Sequence, residues 1–301
     1  MGRWLETPRT QDWLSAFSGL PGKPAFLERG KTTMKRIVSL ILTLALLVCA
    51  ASLAAAETAS AGGNYTDEMK IPYATDLSPD DGADSVERQG DHKDSPYFNR
   101  LDFYNMTSTD TLTILPKFQT QQQTSEWSCG VSSALMVLNY YGKLGDNNEE
   151  TLAKYRSVGL TSGKGADEPS STSLKQMIDI FNGVGGFTLA SSFDYADDDA
   201  LGKAFTLETI RQYLTEGTPV MIGWNDWGGH WQVVIGYDTM GTETEQDDVL
   251  IVADPYDTTD HNQDGYGVYP AERFLYNFTF YNFFNDEDGN FMRFLAAKPA
   301  A

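Results

Sequence analysis

Cys129 is the residue around which chemistry can be built in this sequence. The chain has two cysteines; Cys49 sits in an apolar N-terminal run, so Cys129 is the only one left beyond it. A thiol with no internal disulfide partner reads as an intermolecular bridge, a working nucleophile or a buried apolar filler, and its surroundings must decide. After Cys129, the residues Val131, Ala134, Leu135, Leu138 and Tyr141 follow helical spacing, and Gly142 is placed to end the helix. A thiol that opens a helix faces unpaired N–H groups and the positive end of the helix dipole, both of which favour a thiolate. Gln123 lies six residues earlier, far enough to fold back beside the sulfur. Its side-chain amide is then a candidate donor to the oxyanion that forms in acyl transfer.

A thiolate nucleophile needs a base from elsewhere in the chain. The three histidines are His92, His230 and His261. His92 lies in an acidic, Gly- and Ser-containing stretch and His261 in an Asp- and Asn-rich loop, both poor mounts for a rigid base. His230 follows Gly228-Gly229 and directly precedes the apolar run Trp231–Tyr237, so a strand start holds it. Asp254 ends the run Val249–Ala253 and is followed by Pro255, which puts a carboxylate at a strand edge where it can set the imidazole tautomer. Each residue alone has an ordinary explanation as a turn or packing residue. The combination and order, around the only cysteine outside the N-terminal run, point to a Cys–His–Asp arrangement.

The elements that must position these groups are legible in outline. Helices are expected from Cys129 to Tyr141, from Leu174 to Phe181 with Ser173 as N-cap, and from Leu207 to Leu214 before Gly217. Strands are expected at Leu112–Leu115, Pro219–Trp224, Trp231–Tyr237 and Val249–Ala253, with further strands in the aromatic-rich tail from Gly267 to Leu295. Helices come first and antiparallel strands second, an α+β layout.

Three stretches also resemble a known family. Gln123-Thr124-Ser125-Glu126-Trp127-Ser128-Cys129-Gly130, followed by Ala134-Leu135-Met136 and Tyr140-Tyr141-Gly142, resembles the nucleophile region of the double-glycine, bacteriocin-processing (C39) cysteine peptidases. Gly229–Tyr237 resembles their histidine motif and Val252-Ala253-Asp254-Pro255 their acidic motif. The resemblance runs from about Leu112 to Phe284. It implies a papain-like cysteine peptidase fold, with a helical half carrying the thiol and an antiparallel sheet half carrying His230 and Asp254. It also implies Gln123 as oxyanion donor and a peptide or protein as substrate. Ser128 stands where the processing enzymes often have Asp, and nothing in the chain resembles an attached ATPase. The resemblance is therefore to stand-alone, exported relatives, whose substrates differ. An acyltransferase or amidase would use the same thioester chemistry, and a non-catalytic surface module would be expected to have lost Cys129, His230 or Gln123.

Other residues near these motifs have candidate roles. Trp127, Trp224, Trp227 and Trp231 are candidates for substrate contact, or for packing beside the sheet. Asp260, Asn262 and Asp264 alternate like the start of a calcium loop, with Gly265 for the turn, but the closing position holds Ala271, with Glu272 one place late. An ordinary polar loop is the expectation, and no cofactor is required by the chemistry.

The ends and the charge set the remaining bounds. Met34-Lys35-Arg36, the apolar run Ile37–Val48 and Ala54-Ala55-Ala56 have the order of a secretory signal peptide, 34–56, which predicts an exported protein: secreted, periplasmic or cell-surface. The alanine-rich end favours cleavage over an uncleaved anchor, so no stable membrane insertion is expected afterwards. Residues 1–33 fit no export signal and read as a start-site artefact. Residues 57–96, acidic and rich in Asp, Gly, Ser and Pro, read as a flexible linker or pro-segment before a domain at 97–301. Residues 1–56 hold seven of the 22 Lys and Arg and three of the 42 Asp and Glu, so the remainder has 15 basic and 39 acidic residues, a net −24. Such a surface repels nucleic acid and anionic lipid and suits cationic partners.

Overall fold

Every residue from Cys129 to Leu138 is buried, which makes α1 (Cys129–Tyr140) a central helix rather than a surface one. In the computed structural model, residues 67–85, 101–157, 171–226, 228–258, 263–280 and 293–300 are described. Six helices and seven strands occur among them. The described residues belong to one compact unit, 62–301; the expected signal peptide and the segment before it lie outside the described residues.

Local chemistry explains where the helices start and stop. α2 (Glu149–Ala153) is capped by Asn148, whose side chain accepts from the Thr151 N–H while the Thr151 hydroxyl takes the Asn148 N–H. α3 (Leu174–Val184) begins on a capping box between Ser173 and Gln176 and ends at Gly185, which holds φ of 79°. α4 (Asp198–Ala204) is capped by Asp197, and α5 (Leu207–Thr215) by Thr206. The expected helices are therefore present, the second one turn longer than its periodicity suggested.

The strands β1 (Leu112–Ile114), β2 (Phe187–Ser191), β3 (Val220–Trp224), β4 (His230–Asp238), β5 (Val249–Ala253), β6 (Tyr266–Pro270) and β7 (Arg293–Pro299) form one antiparallel sheet. Its order is β2-β7-β3-β4-β5-β6, with β1 also pairing β4. β3 pairs the first half of β4 and β1 pairs its last three residues, so β1 takes over where β3 ends. Helices cover the sheet: α1 packs on β4 and β3, α3 on β7 and β2, and α5 on β4 and β1. β3 and nearly all of β4 are buried, which is why both read as continuous apolar runs without alternation.

The aromatic tail adds the expected strands, β6 and the start of β7, but is not all strand. Between those strands stands a helix, α6 (Ala271–Phe280), which was not expected. Ala271, Phe274 and Phe278 are buried at a helical period, and Phe274 packs edge-on against Trp224 with ring centroids 4.9 Å apart. Aromatic content favours strands, but here the spacing along a helix face and the burial against the sheet outweigh it.

Residues 67–85 lie against the segment that precedes α1. Met69 and Ile71 are buried in the common core, Lys70 forms a parallel bridge with Thr120, and Ser78 N–H donates to the Thr124 carbonyl. Among the described residues no helix is long and apolar enough to cross a membrane.

Candidate active site

Cys129 is the first residue of α1, and its N-cap, Ser128, does not cap the helix with its side chain. The Ser128 hydroxyl instead donates to the Ser125 carbonyl at 3.1 Å. The first-turn N–H groups have no helical acceptor, so they remain available beside the sulfur. Gly130 is required by close approach: a Cβ there would lie 2.6 Å from Thr172 Cβ.

β4 brings His230 to the same place. The register pairs Trp224 with His230 across β3, and Val233 with Ala253 across β5, so Gln232 lies opposite Asp254 at the end of β5. His230 Nε2 and Asp254 Oδ1 are 2.7 Å apart. Cys129 lies close enough to the same imidazole to help raise its pKa. With Nε2 engaged by the carboxylate, Nδ1 is the ring nitrogen left for the sulfur. Cys129, His230 and Asp254 are 5%, 3% and 7% exposed, so their mutual interactions are little screened by water.

That burial sets the electrostatics. Desolvation is the largest influence on His230 and works to lower its pKa, but the Asp254 charge, its hydrogen bond and the contact with Cys129 together raise it from 6.5 to about 10. Burial likewise works to raise Asp254, and His230, the Tyr256 N–H and Gln232 outweigh it and hold the carboxyl below its usual range. The pairing with Asp254 thus favours the charged form of the imidazole.

Gln123 is 1% exposed, and its Nε2 donates to the Ser125 carbonyl at 2.6 Å. The orientation follows from that carbonyl, because Oε1 placed there would meet another acceptor; Oε1 itself is buried without a hydrogen-bond partner. An amide nitrogen carries two hydrogens, and the second is not needed for Ser125. The Gln123 backbone is tied to the Asp254 loop by its N–H, which donates to the Pro255 carbonyl at 2.8 Å.

Several residues at the site were not singled out from sequence. Gln232 Nε2 donates to Asp254 Oδ2 at 2.7 Å while its Oε1 accepts from Trp224 Nε1 at 2.8 Å, so Gln232 fixes the carboxylate that holds His230. The signal was present: Gln232 is a polar residue two positions after His230 in an apolar strand, hence on the same face. Glu149, fully buried, accepts from the Thr124 N–H at 3.2 Å and the Ser132 hydroxyl at 2.6 Å, joining the loop before Cys129 to α1. Arg156 lies over the Trp127 ring, 4.7 Å from its centroid, and donates to Thr172 Oγ1 at 3.1 Å. Burial lowers the Arg156 pKa and interaction with Cys129 partly offsets this, which puts a guanidinium within electrostatic reach of the sulfur.

The tryptophan candidates divide. Trp127 is half-buried under Arg156. Trp231 is enclosed: it packs against Gly223 and its indole N–H donates to the Thr172 carbonyl at 2.7 Å. Trp224 is buried beside Gln232 and Phe274. Both therefore frame the site from within the core instead of presenting rings to a substrate. Trp227 lies outside the described residues, as do His92, His261, Asp260 and Asn262. Asp264 is buried and its Oδ1 accepts from the Tyr266 N–H at 3.0 Å. Among the described residues no group of three or more His, Cys, Asp or Glu could hold a metal ion.

Comparison with known proteins finds a family and solved structures to which this chain is similar. The Peptidase_C39 like family matches residues 112–282. A double-glycine-motif protease from an AMS/PCAT transporter, solved in complex with its leader peptide, is 20% identical with a TM-score of 0.35, over 64% of this chain and 96% of that one. A protein described as a C39-like peptidase from Bacillus anthracis is 15% identical with a TM-score of 0.42, over 64% of this chain and 100% of that one. A search of curated proteins returns no match. Since the family match spans more than half the chain and covers all three of Cys129, His230 and Asp254, this protein belongs to the Peptidase_C39 like family, and it is a cysteine-type peptidase.

Proposed function

We propose that the protein is exported and hydrolyses peptide bonds, with Cys129 as nucleophile, His230 as acid and base, Asp254 as its orienting carboxylate and Gln123 as oxyanion donor. The observation that carries this reading is the single imidazole that pairs with Asp254 Oδ1 at 2.7 Å and lies within electrostatic reach of Cys129. The sulfur attacks the scissile carbonyl carbon, and the carbonyl oxygen becomes an oxyanion facing the α1 N-terminus and the Gln123 amide. The imidazolium then gives its Nδ1 proton to the leaving nitrogen, the C–N bond breaks, and the amine departs from an acyl-thioester. Water attacks that thioester with His230 taking its proton, and the acid product leaves as the proton returns to the Cys129–His230 pair. Asp254 stays ionised throughout, which its lowered pKa supports.

In the purified protein, Cys129→Ala and His230→Ala are expected to reduce cleavage of a quenched-fluorescence peptide library by at least about 10³-fold. Iodoacetamide at neutral pH should alkylate Cys129 in the unaltered protein much faster than in His230→Ala. Undiminished cleavage in either variant would refute the assignment. Export rests on the signal-peptide pattern of 34–56; the native N-terminus, read by mass spectrometry, is expected shortly after Ala56, and peptides from 1–33 would count against that start.

A further inference from the structure

The segment that matches the family begins at residue 112, yet the loop before Cys129 is gripped by residues that precede it. The turn at Asp81–Ala83 touches three consecutive peptide groups of that loop. Ala83 N–H donates to the Gln123 carbonyl at 3.0 Å. Gly82, at φ of +91°, lies so close that a Cβ would fall 2.6 Å from both Thr124 C and Ser125 N. Asp81 Oδ1 accepts from the Glu126 N–H at 3.2 Å.

The last contact reaches the Gln123 side chain. The Glu126 N–H and the Ser125 carbonyl belong to one peptide plane, and that carbonyl accepts from Gln123 Nε2 at 2.6 Å and from the Ser128 N–H at 3.2 Å. A carboxylate on one side of a peptide plane both orients it and polarises its carbonyl toward the donors on the other side. Gln123 is thus held from both ends: its main chain lies between Ala83 and Pro255, and its amide is aimed by a plane that Asp81 fixes.

We propose that the Asp81–Ala83 turn is a positioning element for the oxyanion donor, making residues 67–85 a working part of the site. The inference rests on the reading of Gln123 as that donor. It does not involve the sulfur directly, because Cys129 is fixed by the burial of α1.

Two reagents separate the effects in the full-length protein. Iodoacetamide alkylates Cys129 by displacement at carbon and generates no oxyanion; p-nitrophenyl acetate acylates it through a tetrahedral oxyanion, read as a p-nitrophenolate burst. Loss of an oxyanion donor costs about 10²-fold or more, and displacement of a catalytic group by about 1 Å can cost as much. Gly82→Ala and Asp81→Ala are expected to lower the ratio of acylation to alkylation rates by about tenfold, and Asp81→Asn, which keeps an oxygen for the Glu126 N–H, to restore it. Gln123→Ala should lower the same ratio at least as far. If Gln123→Ala lowers the ratio and both turn variants leave it at the starting value, the positioning role is overturned and the donor assignment stands. Equal losses of both rates in Gly82→Ala and Asp81→Ala would also overturn it, as general structural damage. A normal ratio in Gln123→Ala would overturn the donor assignment and the inference with it.

Discussion

At the scale of single residues, the His230–Asp254 pair couples stability to pH. The folded chain holds the His230 proton more tightly than the unfolded one, with a pKa raised from 6.5 to about 10. Its contribution is therefore full below about pH 6.5 and declines as pH rises toward about 10. Asp254 is shifted the other way from 3.8, so its contribution is full above that value and is lost as pH falls through the lowered pKa. The Tm difference between the unaltered protein and His230→Gln should be greatest between about pH 4 and 6.5 and shrink on the alkaline side; a difference that grows toward pH 10 would contradict the pairing. Gln232 belongs to the same unit. Gln232→Leu removes the partners of Asp254 Oδ2 and Trp224 Nε1 together. Leaving two buried polar groups unpaired is expected to cost about 2–4 kcal/mol in urea unfolding and to lower turnover, through a less well held carboxylate.

Among the elements, α1 owes its position to contacts from several parts of the chain. Its residues from Cys129 to Leu138 are all buried, so its end facing the loop is secured by polar contacts instead of a solvent-side cap. Glu149, at the start of α2, takes the Thr124 N–H and the Ser132 hydroxyl and so ties the loop before Cys129 to the first turn after it. Glu149→Ala leaves these donors buried and is expected to destabilise the fold by about 3 kcal/mol, with Glu149→Gln costing roughly half as much. Chemical unfolding measures both, and equal, negligible losses would show that water replaces the carboxylate without penalty. Gly223 has a comparable role within the sheet, because a Cβ there would meet the Trp231 indole at 2.9 Å. Trp231 in turn donates to Thr172, beside which Gly130 packs. The contacts around the start of α1 are thus passed between the sheet and the helical half by a glycine, an indole and a second glycine.

For the whole molecule, charge is the dominant property. The chain carries −20, and −24 once residues 1–56 are set aside. Such a field raises the local concentration of cationic peptides and repels acidic ones, and salt screens it over roughly 8–10 Å at ordinary ionic strength. The ratio of kcat/KM for Lys-containing over Glu-containing peptides of equal length is expected to fall as salt rises from about 0.02 to about 0.3 M. A salt-independent ratio would assign any preference to pocket contacts.

What the sequence determined by itself was local: the helix opened by Cys129, the strand that follows His230, the strand that ends before Asp254, and the order of helices first and antiparallel strands second that makes an α+β layout. Hydrophobic periodicity and capping chemistry act over a few residues, so they can be read without knowing what packs on what. The tail held the expected strands β6 and β7, but the helix between them was missed because aromatic residues suit strands, although the spacing of Ala271, Phe274 and Phe278 was helical and their burial decided the matter. Tertiary structure alone decided the supports: Gln232 opposite Asp254 through strand register, Glu149 against Thr124 and Ser132, Arg156 over Trp127, and the Asp81–Ala83 turn against the loop before Cys129. These contacts join residues distant in sequence. Each depends on a register or a burial set by the whole core, and such long-range placement leaves no periodic trace in the chain that carries it.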